Sequence, residues 1–275
     1  MNCCFCGTVK NCGPYLNKVF ENIEKLGTLF DDYRIVLYFD NSTDDSLNII
    51  KQYKEKNPRL TYYHNTSGVS IYRTHRLARG RNECIKLVYE KLKCPYFAMI
   101  DFDDVSSQDV QIDALRKHLH SDTWDALSFN KTNYYDIWAL SIQPYLISFR
   151  HFDSAWSLRE KILTTVLHDN IRDYVITLLN EVPSGGLLEC HSAFNGFAIY
   201  RTCKFANCYY DGSLRMDLIS DDCKKTAIES TNCTLNIQPF GTECSSIEDC
   251  EHRSFHMMAM NKNGARIRIA PDILF

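Results

Sequence analysis

Through residues 1–100 the chain alternates short unbroken apolar runs with helical stripes. Cys3 to Thr8 is a short apolar run, and Gly13-Pro14 then opens a segment with Leu16, Val19, Phe20, Ile23 and Leu26 at helical spacing. Tyr33 to Phe39 is β-branched and aromatic throughout, the pattern of a strand covered on both faces. A second helix is predicted from Leu47 to Lys56, with Thr43 or Asp44 as its cap and Asn57-Pro58 as its stop. Leu60 to His64 predicts a strand, Arg73 to Leu92 a long helix, and Tyr96 to Ile100 a strand ending at Asp101. Strands alternating with helices predict an α/β layer with a mostly parallel sheet. Ligands bind such sheets outside the carboxyl ends of the strands, so the polar clusters there hold the candidate chemistry.

The second half is less regular. Trp124 to Asn130 and the aromatic stretch Tyr134 to Trp138 stand out, followed by helices around Leu158 to His168 and Ile171 to Leu179. Pro183-Ser184-Gly185-Gly186 reads as a loop, and Ala193 to Tyr200 as a strand containing Gly196. Ser245 to Asn263 predicts a helix with Gly264 as its C-terminal cap, and Ala265 to Ala270 a strand that stops at Pro271. No repeat, low-complexity tract or linker divides the chain.

The 275 residues bury a core without staples. With 31 basic and 34 acidic side chains the net charge is −3, which argues against a general nucleic-acid binder. The longest charge-free run of the middle region, Ile137 to Phe149, contains Gln143 and Pro144 and is too short for a membrane span. The start Met1-Asn2-Cys3-Cys4-Phe5-Cys6 lacks a secretory pattern, so the thirteen cysteines are expected reduced, in a cytosol-like compartment. Cys3 and Cys6 form a C-x-x-C, but at the beginning of a strand they read as buried strand residues rather than a redox or metal pair.

Four clusters could carry chemistry. Asp101-Phe102-Asp103 follows a buried strand, and two carboxylates two residues apart suit a hard cation, Mn²⁺ or Mg²⁺; alternatively they cap the next turn. Asp40-Asn41-Ser42-Thr43-Asp44 follows the second strand and could bind a nucleobase or ribose, or only cap a helix. Arg81 shares a helix face with Leu77, Cys84, Ile85 and Val88, so it needs a buried anion, a phosphate or one of the aspartates. Arg73, Arg76 and Arg79 are expected on an exposed flank. Ser245 and Glu248 have capping-box spacing, which leaves Asp249, Glu251 and His252 for chemistry on the first turns of the last helix. His256, four residues beyond His252, makes a zinc pair conceivable, but H-E-x-x-H is absent.

Taken in order, these clusters resemble the nucleotide-sugar glycosyltransferases of the GT-A fold, family 2-like. Thr8-Val9-Lys10-Asn11 follows the first strand, Asp40 to Asp44 the second, and Asp101-Phe102-Asp103 matches the D-x-D motif. Glu248-Asp249 and Glu251-His252 precede Gly264 to Asp272, similar to the acidic helix and following strand of that family. Arg73-Thr74, Arg81-Asn82 and Tyr135 to Leu140 resemble capsule-associated mannosyltransferases and glycosyltransferases of large DNA viruses.

The resemblance implies an α/β fold of GT-A (Rossmann-like) type: one domain over 1–275, nucleotide-binding in 1–105 and acceptor-binding in an irregular 106–275. It implies a hexosyltransferase in which Thr8, Lys10, Asp40, Arg81 and Asp101 hold the donor, a UDP- or GDP-sugar. Asp101, Asp103 and His252 would hold Mn²⁺ or Mg²⁺, and Asp249 or Glu251 would take the acceptor proton in a direct displacement with inversion. If the Cys250-Glu251-His252 stretch belongs to retaining enzymes, Glu251 is not a base. Asn195 to Ala198 would line the acceptor side. The acceptor would be a glycan, protein or lipid-linked hydroxyl, with no nucleic acid and no membrane span; the location would be cytoplasmic, a host cytoplasm or virus factory, and a homodimer stays open. Two other readings compete. A sugar-phosphate nucleotidyltransferase needs a glycine-rich loop that Cys6 to Gly13 does not provide, and a non-catalytic binding module would use the aspartates for a structural cation.

Overall fold

The computed structural model describes residues 1–67, 70–151, 158–231, 235 and 248–275. Chain order gives β1 (Asn2–Val9), α1 (Gly13–Gly27), β2 (Asp32–Phe39), α2 (Ser46–Lys56), β3 (Leu60–His64), α3 (Arg73–Leu87) and β4 (Tyr96–Ile100). Then follow α4 (Ile112–Leu119), β5 (Ala126–Asn130), α5 (Leu158–Glu181), β6 (Leu188–Cys190), β7 (Phe197–Arg201), α6 (Asp221–Thr231), α7 (Glu251–Asn263) and β8 (Ile267–Ile273). Among the described residues these strands make one sheet in the order β3-β2-β1-β4-β7-β5-β8-β6. All run the same way except β7, antiparallel to β4 and β5, and β6, antiparallel to β8. One mostly parallel sheet thus runs through both halves of the chain.

The apolar runs bury both faces of their strands. In β1, Cys3 and Phe5 face a core layer with Leu16, Phe20, Ile35 and Ile100, while Cys4 and Cys6 face a second layer with Val36, Ile85, Phe97 and Phe255. The C-x-x-C is therefore split across the sheet, and every cysteine among the described residues is free. α3 lies close on β1 and β2 because of Gly80: a Cβ there would come within 2.7 Å of Thr8 Cγ2 and of the Tyr38 ring. Gly80→Ala would push this helix, and the arginines it carries, off the sheet.

Several expectations need correction. The long helix over Arg73 to Leu92 is α-helical only to Leu87 and continues as a π-turn over Val88–Leu92. The helices expected on either side of Asp169-Asn170 are one, α5, since neither Gly nor Pro interrupts them. The strand expected from Ala193 begins only at Phe197, because Asn195 (φ 54°) and Gly196 (φ 90°) form a left-handed turn before it. β8 does not stop at Pro271: its partner β6 has ended by then, and the ladder with β5 is bulged at Phe129/Asn130, so no bond requires the missing N–H. The last helix starts at Glu251, not Ser245, and Ser245 lies outside the described residues. Gly264 (φ 61°) ends that helix as expected. Tyr134 to Trp138 is a loop, and α4, β6 and α6 answer to no element read from the sequence. No helix among the described residues is long and apolar enough to cross a membrane.

Candidate active site

The carboxyl ends of β1, β2 and β4 open on one cleft of about 270 Å³, lined by Thr8, Lys10, Asp40, Arg73, Arg76, Asp101 and Asp103 among others. Its floor is stitched across the strand ends. Asp40 N donates to Val9 O (2.9 Å), and Asp101 N to Gly196 O (2.9 Å). Asn11 N donates to Ser42 Oγ (2.9 Å), and Thr43 N to Asn11 Oδ1 (2.8 Å). The N-cap of α2 is Asp45 rather than Thr43 or Asp44, but the Asp44 carboxylate accepts from Gly13 N (2.8 Å) and Ser46 N (3.1 Å), the first N–H groups of α1 and α2. Asp40 is buried; Asn65 Nδ2 (3.2 Å) and the Asn41 N–H (3.0 Å) bind its Oδ1, and Lys10 Nζ stands 3.4 Å from Oδ2.

Asp101 ends β4 between two donors. Arg81 Nη2 reaches Oδ1 (3.1 Å) and the Tyr135 hydroxyl donates to Oδ2 (3.0 Å). Asp103 accepts from Val105 N (3.2 Å) and caps the turn Asp104–Ser106. Burial and the neighbouring Asp101 charge push its carboxyl up to about 6. Two carboxylates crowded in one cleft, one of them driven towards its protonated form, are a donor set whose repulsion a divalent cation would relieve. The Asp101–Asp103 pair fits such an ion. The expected third ligand does not join them: among the described residues no group of three His, Cys, Asp or Glu side chains is assembled to hold a metal. His252 instead turns its Nε2 to Arg81, which stands between it and Asp101.

A second cleft of about 190 Å³ adjoins the first. Asp101, Tyr135, Asp136, Phe194, Glu251 and His252 are among its lining residues. Arg81, only 3% exposed, forms a close ion pair with Glu251 and lies over the Phe194 ring (4.9 Å to the centroid). His252 stacks on the same Phe194 ring, with 3.7 Å between ring centroids. Burial and the Arg81 cation hold His252 well below the usual histidine range, so its ring is neutral and Nε2 can accept from Arg81. Burial also raises Glu251, against the pull of Arg81. Asp249 goes elsewhere. It is buried against Arg253 (3.1 Å) and His151 (3.4 Å), accepts from Cys250 N (2.8 Å), and lines neither cleft.

Residues 5–177, more than half of the chain, match the family model for glycosyl transferase family 2. The chain belongs to that family. No curated protein matches it in sequence. Solved structures resemble this chain at low identity. TarS of S. aureus (residues 1–349, in complex with UDP-GlcNAc) is 13% identical, with all of this chain and 57% of that one covered and a TM-score of 0.47. The mannosyltransferase PcManGT of Pyrobaculum calidifontis, in complex with GDP-Man and Mn²⁺, is 18% identical over 48% of this chain and 36% of that one, with a TM-score of 0.34. The chain thus spans about half the length of TarS 1–349 and a third of PcManGT.

In this family 2 chain the first cleft gathers Thr8, Lys10, Asp40, Asp101 and Asp103, and the adjoining one gathers Arg81, Asp101, Glu251 and His252. Glu248 caps a helix, but not its own: it accepts from Thr74 N (3.0 Å) and Thr74 Oγ1 (2.8 Å) at the start of α3. His256 is a satisfied core histidine, bonded to Ser192 Oγ and Tyr200 OH at 3.0 Å each, and no zinc pair with His252. Arg79 is exposed, as expected; Arg73, also exposed, and the half-buried Arg76 line the first cleft. Their i, i+3 and i+4 spacing with Leu77 was the available signal. Tyr135 and Asp136 had no periodic signal, because a loop places them.

Proposed function

We propose that this glycosyltransferase moves a sugar from a UDP- or GDP-sugar to the hydroxyl of a glycan, protein or lipid-linked acceptor, with inversion. The observation that carries this reading is the single cleft in which an acidic pair at a strand end faces Lys10, Arg73 and Arg76. Anionic and cationic side chains in one cleft match a nucleoside diphosphate and its cation: Asp40 for the nucleoside, with Thr8 and Lys10 beside it, and Arg73 and Arg76 for phosphate oxygens. Asp101 and Asp103 would hold Mn²⁺ or Mg²⁺. When bound, the ion supplies positive charge against the diphosphate leaving group. Arg81 braces Asp101 through Nη2 and Glu251 through Nη1, which keeps the carboxylate of Asp101 aimed into the cleft. The acceptor hydroxyl would enter the second cleft, next to the shared Asp101, and lose its proton to a carboxylate there. Of the two carboxylates expected for that step, Glu251 lines this cleft and Asp249 does not.

The test is a panel of UDP- and GDP-sugars in thermal-shift and hydrolysis assays, with Mn²⁺ and with chelator, beside Asp103→Ala. The expected result is one nucleotide class that stabilises the protein only with the ion, a response lost in the variant. No response from any donor would return the aspartates to a structural role and favour a non-catalytic binding module.

A further inference from the structure

We infer that Asp136, and not the acidic pair at the start of α7, is the general base that takes the proton of the attacking hydroxyl. The inference rests on the reading of the two clefts as a sugar-transfer site and names the residue that completes it. Three carboxylates compete for the role. Asp249 is tied to Arg253 outside the cleft, and Glu251 is locked to the buried Arg81. Glu251 is committed to that guanidinium, and taking up a proton there would leave the buried Arg81 cation without one of its two carboxylates. Asp136 lines the same cleft with a different set of partners: its Oδ1 accepts from Ala139 N (3.1 Å), and among the described residues no cation is bonded to it. Burial, together with the Asp101 and Glu251 charges, pushes its carboxyl up to about 6, a proton affinity suited to a base near neutral pH.

The loop that carries it is pinned. Asn195 Oδ1 accepts from the N–H of both Tyr135 (3.2 Å) and Asp136 (3.3 Å), while its Nδ2 donates to Phe129 O (3.0 Å) at the end of β5. One residue further back, Tyr135 is bonded to Asp101. The carboxylate is thereby held at a fixed place relative to the strand end that would orient the donor. In the step itself the acceptor O–H proton passes to Asp136 and the hydroxyl oxygen forms the new bond to the anomeric carbon. The bond from that carbon to the diphosphate oxygen breaks, and its electron pair leaves with the diphosphate.

The experiment compares Asp136→Asn with Glu251→Gln in the full chain. It measures release of nucleoside diphosphate from UDP- and GDP-sugars with Mn²⁺, and donor affinity by titration. Asp136→Asn is expected to lower turnover by about a hundredfold or more with donor affinity within about threefold of wild type. Glu251→Gln is expected to lower the melting temperature and weaken donor binding while keeping the larger share of turnover at saturating donor. Wild-type turnover in Asp136→Asn would overturn the inference. So would loss of turnover in Glu251→Gln with donor affinity and melting temperature unchanged. If wild-type protein neither binds nor cleaves any of the donors with Mn²⁺, the sugar-transfer reading itself falls, a result distinct from either.

Discussion

Asp101 and Asp103 stand two residues apart at the end of β4, and Asp249 and Glu251 stand two residues apart at the start of α7. On paper the pairs are near copies. In the fold, Asp101 keeps 21% of its side chain exposed in an open cleft and Asp103 lines the same cleft, whereas Asp249 and Glu251 are each 3% exposed and paired with a buried arginine, Arg253 for Asp249 and Arg81, which also reaches Asp101, for Glu251. The difference lies in what surrounds each site. The residues just after a parallel strand face outward past the sheet edge, so apart from Arg81 the neighbours there are a loop and whatever binds. The first turn of α7 is packed against α3 and the Tyr134 to Trp138 loop, so a carboxylate there has to bring a cation with it. Equal spacing of acidic residues therefore does not make equal sites. Burial turns one pair into braces and leaves the other for a ligand.

That contrast can be broken first at Asp249. Asp249→Ala leaves the buried Arg253 cation without its carboxylate, with only backbone carbonyls to bond, and should lower stability by about 3–5 kcal/mol, read from urea unfolding midpoints. A loss under 1 kcal/mol would mean that the second pair is as dispensable to folding as the first. Acid titration sharpens the same point. Burial raises the Asp249 carboxyl, but Arg253 and His151 outweigh it and hold it below its ordinary 3.8. A lowered folded pKa adds stability that is full above pH 4 and lost as pH falls through 3.8 and below. Asp249→Asn should therefore flatten the acid limb of stability against pH, and an unchanged limb would exclude the pair as its source.

Asp103→Asn tests the other member of the comparison. It should lower metal-dependent turnover by about a hundredfold while leaving the urea midpoint intact, the reverse of Asp249→Ala. Tyr135→Phe removes one bond to Asp101 and should cost about 1 kcal/mol of donor binding, seen as a roughly fivefold weaker affinity in the presence of Mn²⁺. The smallest effect is expected at Lys10→Ala: its contact with Asp40 is long and half-exposed, so stability should move by less than about 0.5 kcal/mol. A larger shift would mark Lys10 as a brace rather than a ligand-facing cation.

Much of the first half was legible because its signals are local. Runs such as Tyr33 to Phe39 and Tyr96 to Ile100 name their own structure, and the aspartate after each run falls at a strand end. The second half gave weaker signals. β6 has three residues, and α6 is mostly polar. The strand expected at Ala193 starts late because a left-handed turn occupies its first positions.

The sequence by itself determined that this is a layered α/β chain, that Asp40, Asp101 and Asp103 stand where such sheets bind ligands, and that Arg81 must have a buried anionic partner. Only the tertiary structure decided which anion that is, and that Glu248 caps a helix start 174 residues away in sequence. It also inserted β7 antiparallel between β4 and β5. The physical reason is the range of the interactions. Propensity and periodicity act within a few residues, whereas the partner of a buried charge is set by which segments the sheet order brings together, and nothing in the local pattern encodes that order.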